Sequence, residues 1–240
     1  MKTKNLFRIV FLTSIIISFS TYVKSQSCNM YYSLADGNEY EMTNYDSKDK
    51  VDGKTINKIS NVVTNTEGTI ATVNTTTKDK KDEVVATTSS SVKCVGDKMF
   101  IEMKSFVPSQ SMGQMNNLEF KTDATWMELP QNISVGMILN DASGNISLYS
   151  NGVLFSTMKI TITNRKVVSI ESVTTTAGTF NCYKITQDFN METTTMGVSF
   201  PVNIKNSEYY AAGIGSVKTE SYDKDGKLMG YSLLTKITKL

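Results

Sequence analysis

The segment Met158-Lys-Ile-Thr-Ile-Thr163 alternates apolar and polar side chains with a period of two. That period sends successive side chains to opposite faces of a strand, giving an antiparallel sheet one dry face and one wet face. Lys98 to Met103, Gly144 to Tyr149 and the series Tyr231, Leu233, Thr235, Ile237 have the same character. β-branched residues fill Thr69 to Thr77, Val84 to Val92 and Val167 to Thr176. Their restricted χ1 suits a pleated, half-buried surface. Turn signals separate these runs at the spacing of a meander: Ala35-Asp-Gly37, Glu67-Gly68, Lys78 to Glu83, Gly96-Asp97, Ala142 to Asn145, Asn151-Gly152, Ala177-Gly178 and Asp225-Gly226. Asn-Gly and Asp-Gly are the strongest hairpin cues, because a tight type I′ turn needs positive φ at both central residues. The expected fold class is mainly all-β and antiparallel.

One stretch breaks the rhythm. Phe106-Val-Pro-Ser-Gln-Ser-Met-Gly-Gln-Met-Asn-Asn117 carries Pro108 where a first helical turn tolerates it. Met112 and Met115 sit three apart, on one helical face. A short helix or flap is expected near residues 106–117.

The N-terminus reads as an address. Lys2, Lys4 and Arg8 precede the apolar run Ile9 to Phe19, which is too short to span a bilayer. Val23 and Ser25 place small residues at the two positions a signal peptidase reads, so residues 1–25 are expected to be a signal peptide and 26–240 one domain, periplasmic or secreted. A lipoprotein anchored through Cys28 is less favoured, because Lys24 interrupts the run and Ser25-Gln26-Ser27 separates it from the cysteine. Without its leader, which holds four basic residues and no acid, the chain carries 21 Lys+Arg against 23 Asp+Glu. No basic stripe argues for nucleic acid. Arg165 is the only arginine beyond the leader, which leaves little for bidentate clamping of phosphate. No later segment is apolar enough to form a transmembrane helix. Of the three cysteines, Cys28 and Cys94 are the expected disulfide, tying down the terminus, and Cys182 reads as a small buried thiol.

Tyr45-Asp-Ser-Lys-Asp-Lys-Val-Asp-Gly-Lys54 and Tyr222-Asp-Lys-Asp-Gly-Lys-Leu-Met-Gly-Tyr231 look like one phrase written twice. Asp223-Lys-Asp225-Gly226 resembles the opening of a calcium loop, but the position that needs a bidentate Glu is Leu234. A hairpin tip explains both copies better: Asp opens the turn with a side-chain-to-backbone bond and Lys/Asp/Gly cover the exposed tip.

The chemistry of catalysis is mostly missing. The chain has no His, the commonest general base and metal ligand. Ser-His-Asp and Cys-His nucleophile arrangements are therefore excluded, and no thiol cluster has zinc spacing. Glu102, Glu119, Glu128 and Glu171 are the carboxylates a glycosidase-like pair would draw on, yet an acidic residue in a strand usually takes the wet face. The chain is expected to be non-catalytic, with no cofactor and no metal site.

The C-terminal third carries a resemblance. Val173-Thr-Thr-Thr-Ala-Gly-Thr-Phe-Asn-Cys-Tyr-Lys-Ile185 and Tyr209-Tyr-Ala-Ala-Gly-Ile-Gly-Ser-Val-Lys-Thr-Glu-Ser-Tyr-Asp223 are similar to signatures of the TapB-like family of exported bacterial β-rich proteins, with Thr176 where that family commonly has Pro. Cys28-Asn-Met-Tyr-Tyr-Ser-Leu-Ala-Asp-Gly37 fits its start. The resemblance implies a strongly curved antiparallel sheet or open β-barrel and export; it implies no reaction. Gly213-Ile-Gly215 lacks the following helix of a phosphate loop and reads as a bend entering a strand. The resulting expectation is a binding or carrier module for an apolar ligand or lipid-like tail in the cell envelope, contacted by Phe106, Met112, Met115, Trp126 and Met127. The alternative is a structural or protein-interaction module acting through an exposed sheet face or edge, with an envelope protein as partner.

Overall fold

The computed structural model describes residues 33–107, 118–123 and 125–239. Thirteen strands form one antiparallel sheet: β1 (Glu39–Asp46), β2 (Val51–Asn65), β3 (Gly68–Asp79), β4 (Val84–Val95), β5 (Lys98–Glu102), β6 (Leu118–Thr122), β7 (Trp126–Pro130), β8 (Ala142–Ser150), β9 (Val153–Thr175), β10 (Gly178–Thr195), β11 (Val198–Ala211), β12 (Gly215–Tyr222) and β13 (Leu228–Thr238). Their order in space is β6-β8-β9-β10-β11-β12-β13-β1-β2-β3-β4-β5-β7. Consecutive strands from β1 to β5 and from β8 to β13 pair through short turns, as expected of a meander. The first and last strands close the middle, with Tyr40 opposite Ile237 and Tyr45 opposite Tyr231.

The sheet does not close into a barrel; β6 and β7 are its edges. These two edges are neighbours in sequence, separated only by residues 123–125. That connector bonds both ways: Asp123 N–H donates to Asn145 of β8 at 3.4 Å, and Thr125 C=O accepts from Met103 N–H at 3.0 Å. The sheet must therefore curl until its ends approach. The curl brings two apolar rows together in one core. Ala71, Val92, Ile101 and Met127 lie in register across β3, β4, β5 and β7, and Phe189, Ile162 and Ala142 across β10, β9 and β8. Burying each such side chain stabilises by about 1.5–3 kcal/mol for the larger ones.

The only short helical element among the described residues is a 3-10 turn, Met103–Phe106, just ahead of the expected helix or flap, most of which lies outside them. The turn expected at Ala142 to Asn145 is instead the start of β8. Gly144 marks close packing there: a Cβ would stand 2.6 Å from Met103 Cβ and 2.7 Å from Thr125 Oγ1. The bend expected at Gly213-Ile-Gly215 is the β11–β12 turn, where both glycines have positive φ.

The twice-written phrase is two hairpin tips, and the structure adds a third. Asp46, Asp79 and Asp223 each accept two backbone N–H groups on one carboxylate oxygen, from residues two and four positions later, at 2.8–3.0 Å. The fourth residue of each turn has positive φ: Asp49 (61°), Asp82 (67°) and Gly226 (81°). Strand alternation puts these tips, β1–β2, β3–β4 and β12–β13, on the same rim of the sheet as β8–β9 and β10–β11.

Candidate functional site

The residues expected to contact an apolar ligand do not form one surface. Met127 is buried in the core, and Phe106 packs against that core from the 3-10 turn. Trp126 opens β7, with Lys93 Nζ 4.3 Å from its ring centroid, a cation–π cap on the ring. Met112 and Met115 lie outside the described residues. Cys94 is disulfide-bonded, and Cys28, its expected partner, lies outside the described residues. Cys182 is a free thiol buried in β10, and burial pushes its pKa up to about 11, far from a reactive thiolate.

Each of the four candidate carboxylates has a partner, and Glu102 and Glu128 are diagonal neighbours on the paired strands β5 and β7. Glu102 accepts from Ser91 N–H (2.7 Å), Glu119 pairs with Lys121 (3.7 Å), Glu128 with Lys98 (2.9 Å) and Glu171 with Lys184 (3.6 Å). Among the described residues, no group of three His, Cys, Asp or Glu side chains is placed to hold a metal. No described helix is long and apolar enough to cross a membrane.

Two features that the sequence reading passed over stand out instead. The first is apolar. β11 pairs with β12 only from Lys205 onward, so Val198 to Ile204 extends past its neighbour as a ribbon backed by β10 alone. Val198, Phe200 and Val202 share the strand face of Ile204, which packs on the core, and Val202 lies in register with buried Met191. The core's apolar row thus runs on into solvent, where Val198 is 55% and Phe200 58% exposed. Met196 at the β10–β11 tip and Leu154 at the adjacent β8–β9 tip, on the same face through the pairs Thr195–Val198 and Thr195–Ser156, extend the patch. Glu192 is the one charged residue in 149–157 and 192–203. A contiguous exposed apolar patch is the kind of surface that marks an interaction site.

The ribbon's open edge is guarded. Met196 and Gly197 both have positive φ, forming a two-residue turn that makes Thr195–Val198 a hydrogen-bonded pair. Pairs alternate from there, so Glu192–Pro201 is non-hydrogen-bonded and position 201 points its nitrogen outward. Proline there removes a donor that an added strand would need.

The second feature is polar and buried. The Arg165 guanidinium, 1% exposed, donates to the carbonyls of Glu128 (2.9 Å) and Asn140 (2.6 Å), binding β9 to β7 and to the β7–β8 connection. It is a structural rivet, with both contacts charge-assisted. Nearby on β11, the half-buried Glu208 accepts from Thr219 Oγ1 at 2.7 Å; desolvation pushes its pKa up to about 7 against the pull of Thr219, Ser216 and Arg165. On the opposite face, Glu220 accepts from the Tyr209 and Tyr222 hydroxyls, both at 2.9 Å, and pairs with Lys218 at 2.6 Å. These groups border a groove of about 480 Å³ that also meets Val173 and Tyr231. Glu220 is fully engaged, and the groove's other carboxylates are paired too, Glu171 with Lys184 at 3.6 Å and Asp49 with the Tyr231 hydroxyl at 2.9 Å.

Two solved structures share this architecture. One, a Bacteroides fragilis protein described as exported with a YmcC-like fold, is 21% identical with a TM-score of 0.72, over 88% of this chain and 100% of its own. The other, a Parabacteroides distasonis protein described as a lipoprotein, is 20% identical with a TM-score of 0.73, over 89% of this chain and 100% of its own. At such identities the likeness establishes the fold. No curated protein sequence is significantly similar to this chain. The TapB-like name drawn from the sequence motifs remains a resemblance, whereas the profile of one family matches residues 35–234, most of the sheet: the chain belongs to the DUF3108-like family.

Proposed function

We propose that this chain is an exported, non-catalytic module of the cell envelope that docks a lipid-like apolar tail on the uncharged face of its β8–β9 and β10–β11 hairpins. The observation that carries this reading is the row Val198, Phe200, Val202, which continues the core's apolar face into solvent. The leader-like N-terminus supports export, and the absence of His supports a role without acid–base chemistry. The ligand class is the one expected from the sequence; the surface moves from the 106–117 flap to the hairpins. Strand addition by an envelope protein along the open edge of β11 is disfavoured by Pro201.

The test is titration of a fluorescent dodecyl-chain probe into the folded protein, repeated with a Val198→Ser, Phe200→Ser double variant. Loss of two large apolar contacts should weaken binding by about a hundredfold, at ~1.5 kcal/mol or more per side chain. Unchanged affinity in the variant would remove the hairpin face as the docking site.

A further inference from the structure

We propose that the inner face of β1, β2, β12 and β13 holds a second site, a pocket for a small uncharged polyhydroxyl compound of monosaccharide size. This goes beyond the docking of an apolar tail and rests on different residues. The pocket is a cavity of about 220 Å³ walled by Asn44, Thr55, Asn57, Thr219 and Ser232, with Ser216 and Ile214 at the β11–β12 end and Tyr40 and Met42 as an apolar floor. At about 30 Å³ per water, it has room for roughly seven waters or one compact molecule, too little for an extended acyl chain or a protein segment.

The walls are chemically asymmetric, and the hydrogen bonds behind them set the asymmetry. Ser232 Oγ donates to Asn44 Oδ1 at 2.8 Å, and Asn44 Nδ2 donates to Thr55 Oγ1 at 3.2 Å. Thr55 therefore keeps its own hydroxyl proton to give away. Thr75 Oγ1 donates to Asn57 Oδ1 at 2.7 Å, which leaves the Asn57 amide N–H groups as its free end. The β2 wall is thus a donor wall. Across the cavity the hydroxyl protons are already committed: Thr219 gives its proton to Glu208, which Ser216 also approaches as a hydrogen-bonding partner, and Ser232 gives its proton to Asn44. That wall presents oxygen lone pairs. A hydroxyl group both accepts and donates, so a polyol can satisfy both walls at once.

No charged side chain lines the cavity. A charged ligand would lose its hydration without gaining a counter-ion, a cost that selects for a neutral one. The lining side chains stand on paired strands and are oriented by one another, which is the preorganisation a binding site requires.

The experiment is saturation-transfer difference NMR on the folded full-length mature protein, with D-glucose, D-galactose and myo-inositol as neutral probes and glucosamine and glucuronate as charged controls. Saturation transfer is expected to at least one neutral probe and to neither control. Thr55→Val, which removes one donor at constant volume, should weaken that binding by about tenfold, the worth of one good hydrogen bond. Ser232→Ala is a milder second variant, expected to weaken binding as well, should Thr55→Val fold poorly. Absence of transfer to every neutral probe means a cavity that holds only water and overturns the proposal. Transfer that persists undiminished in the folded variants overturns it equally.

Discussion

One rim of the sheet carries two kinds of hairpin tip. The turns at 46–50, 79–83 and 223–227 hold thirteen charged residues in fifteen, whereas the hairpins at 149–157 and 192–203 hold one. The backbone problem is the same in both, and the solutions differ. At the charged tips an Asp carboxylate gathers two N–H groups, and ammonium and carboxylate groups stay in water. At the uncharged tips positive φ at Asn151-Gly152 and Met196-Gly197 turns the chain, and apolar side chains are left outside. Charged tips also protect a sheet from sticking to other chains. A chain that uses this protection three times and omits it at two neighbouring tips carries an apolar surface that the proposed docking of a lipid-like tail would cover.

Arg165 lies where the long hairpins meet the rest of the sheet, and its loss is the largest way to break the comparison. Arg165→Met would strand the carbonyls of Glu128 and Asn140 without their donors. A destabilisation of about 3 kcal/mol is expected, read as a lowered denaturation midpoint in urea with the slope unchanged.

Glu208 gives the next effect, and it depends on pH. Its carboxyl has a pKa of about 7 in the folded chain against an ordinary 4.5. The folded state therefore holds the proton more tightly, so stability from this group is complete below about pH 4.5 and is lost as pH rises to 7. Glu208→Gln should abolish that loss: equal stability near pH 4, and up to about 3 kcal/mol more than the unsubstituted chain at pH 8. Thermal unfolding at the two pH values checks it. A variant that is less stable at both would show that the ionised carboxylate holds this part of the sheet together.

The charged tips give the smallest effect. Asp223→Ala removes the acceptor for the Asp225 and Lys227 N–H groups and should cost about 1 kcal/mol, while probe binding at the hairpins stays unchanged. A fall in probe binding would mean that the two halves of the rim are coupled.

Much of this fold is legible in residue patterns. The alternation at Met158 to Thr163 and Tyr231 to Ile237 lies in β9 and β13, Asn151-Gly152 and Asp225-Gly226 fall in turns, and Ala177 lies in the turn that leads into Gly178, the first residue of β10. The phrase at Tyr45 and Tyr222 reads correctly as hairpin tips. Its third copy at Asp79 lacks the Tyr and Gly that drew attention to the others, although the Asp and the spacing to its N–H donors are the same. Gly144 misleads because its role is tertiary: the crowding comes from Met103, forty-one positions earlier. The strand order at the edges is unreadable for a similar reason, since β6 and β7 part to opposite edges across three residues.

The candidate sites were less legible. Glu208 contradicts the rule that strand acids take the wet face, because the inner face is itself polar at β1, β2 and β12. A signal existed in its two-residue spacing from Tyr210, which places both on one side of β11. The apolar ribbon was hidden because Val198, Phe200 and Val202 look like any half-buried strand; only the length mismatch between β11 and β12 exposes them.

Hydrogen exchange measured by mass spectrometry, with and without the dodecyl-chain probe, tests the central claim most directly. Protection is predicted in residues 193–204 and 150–157, with the tips at 46–50, 79–83 and 223–227 unchanged. Protection at the charged tips, or in the residues around Trp126, with none in the hairpins would contradict it.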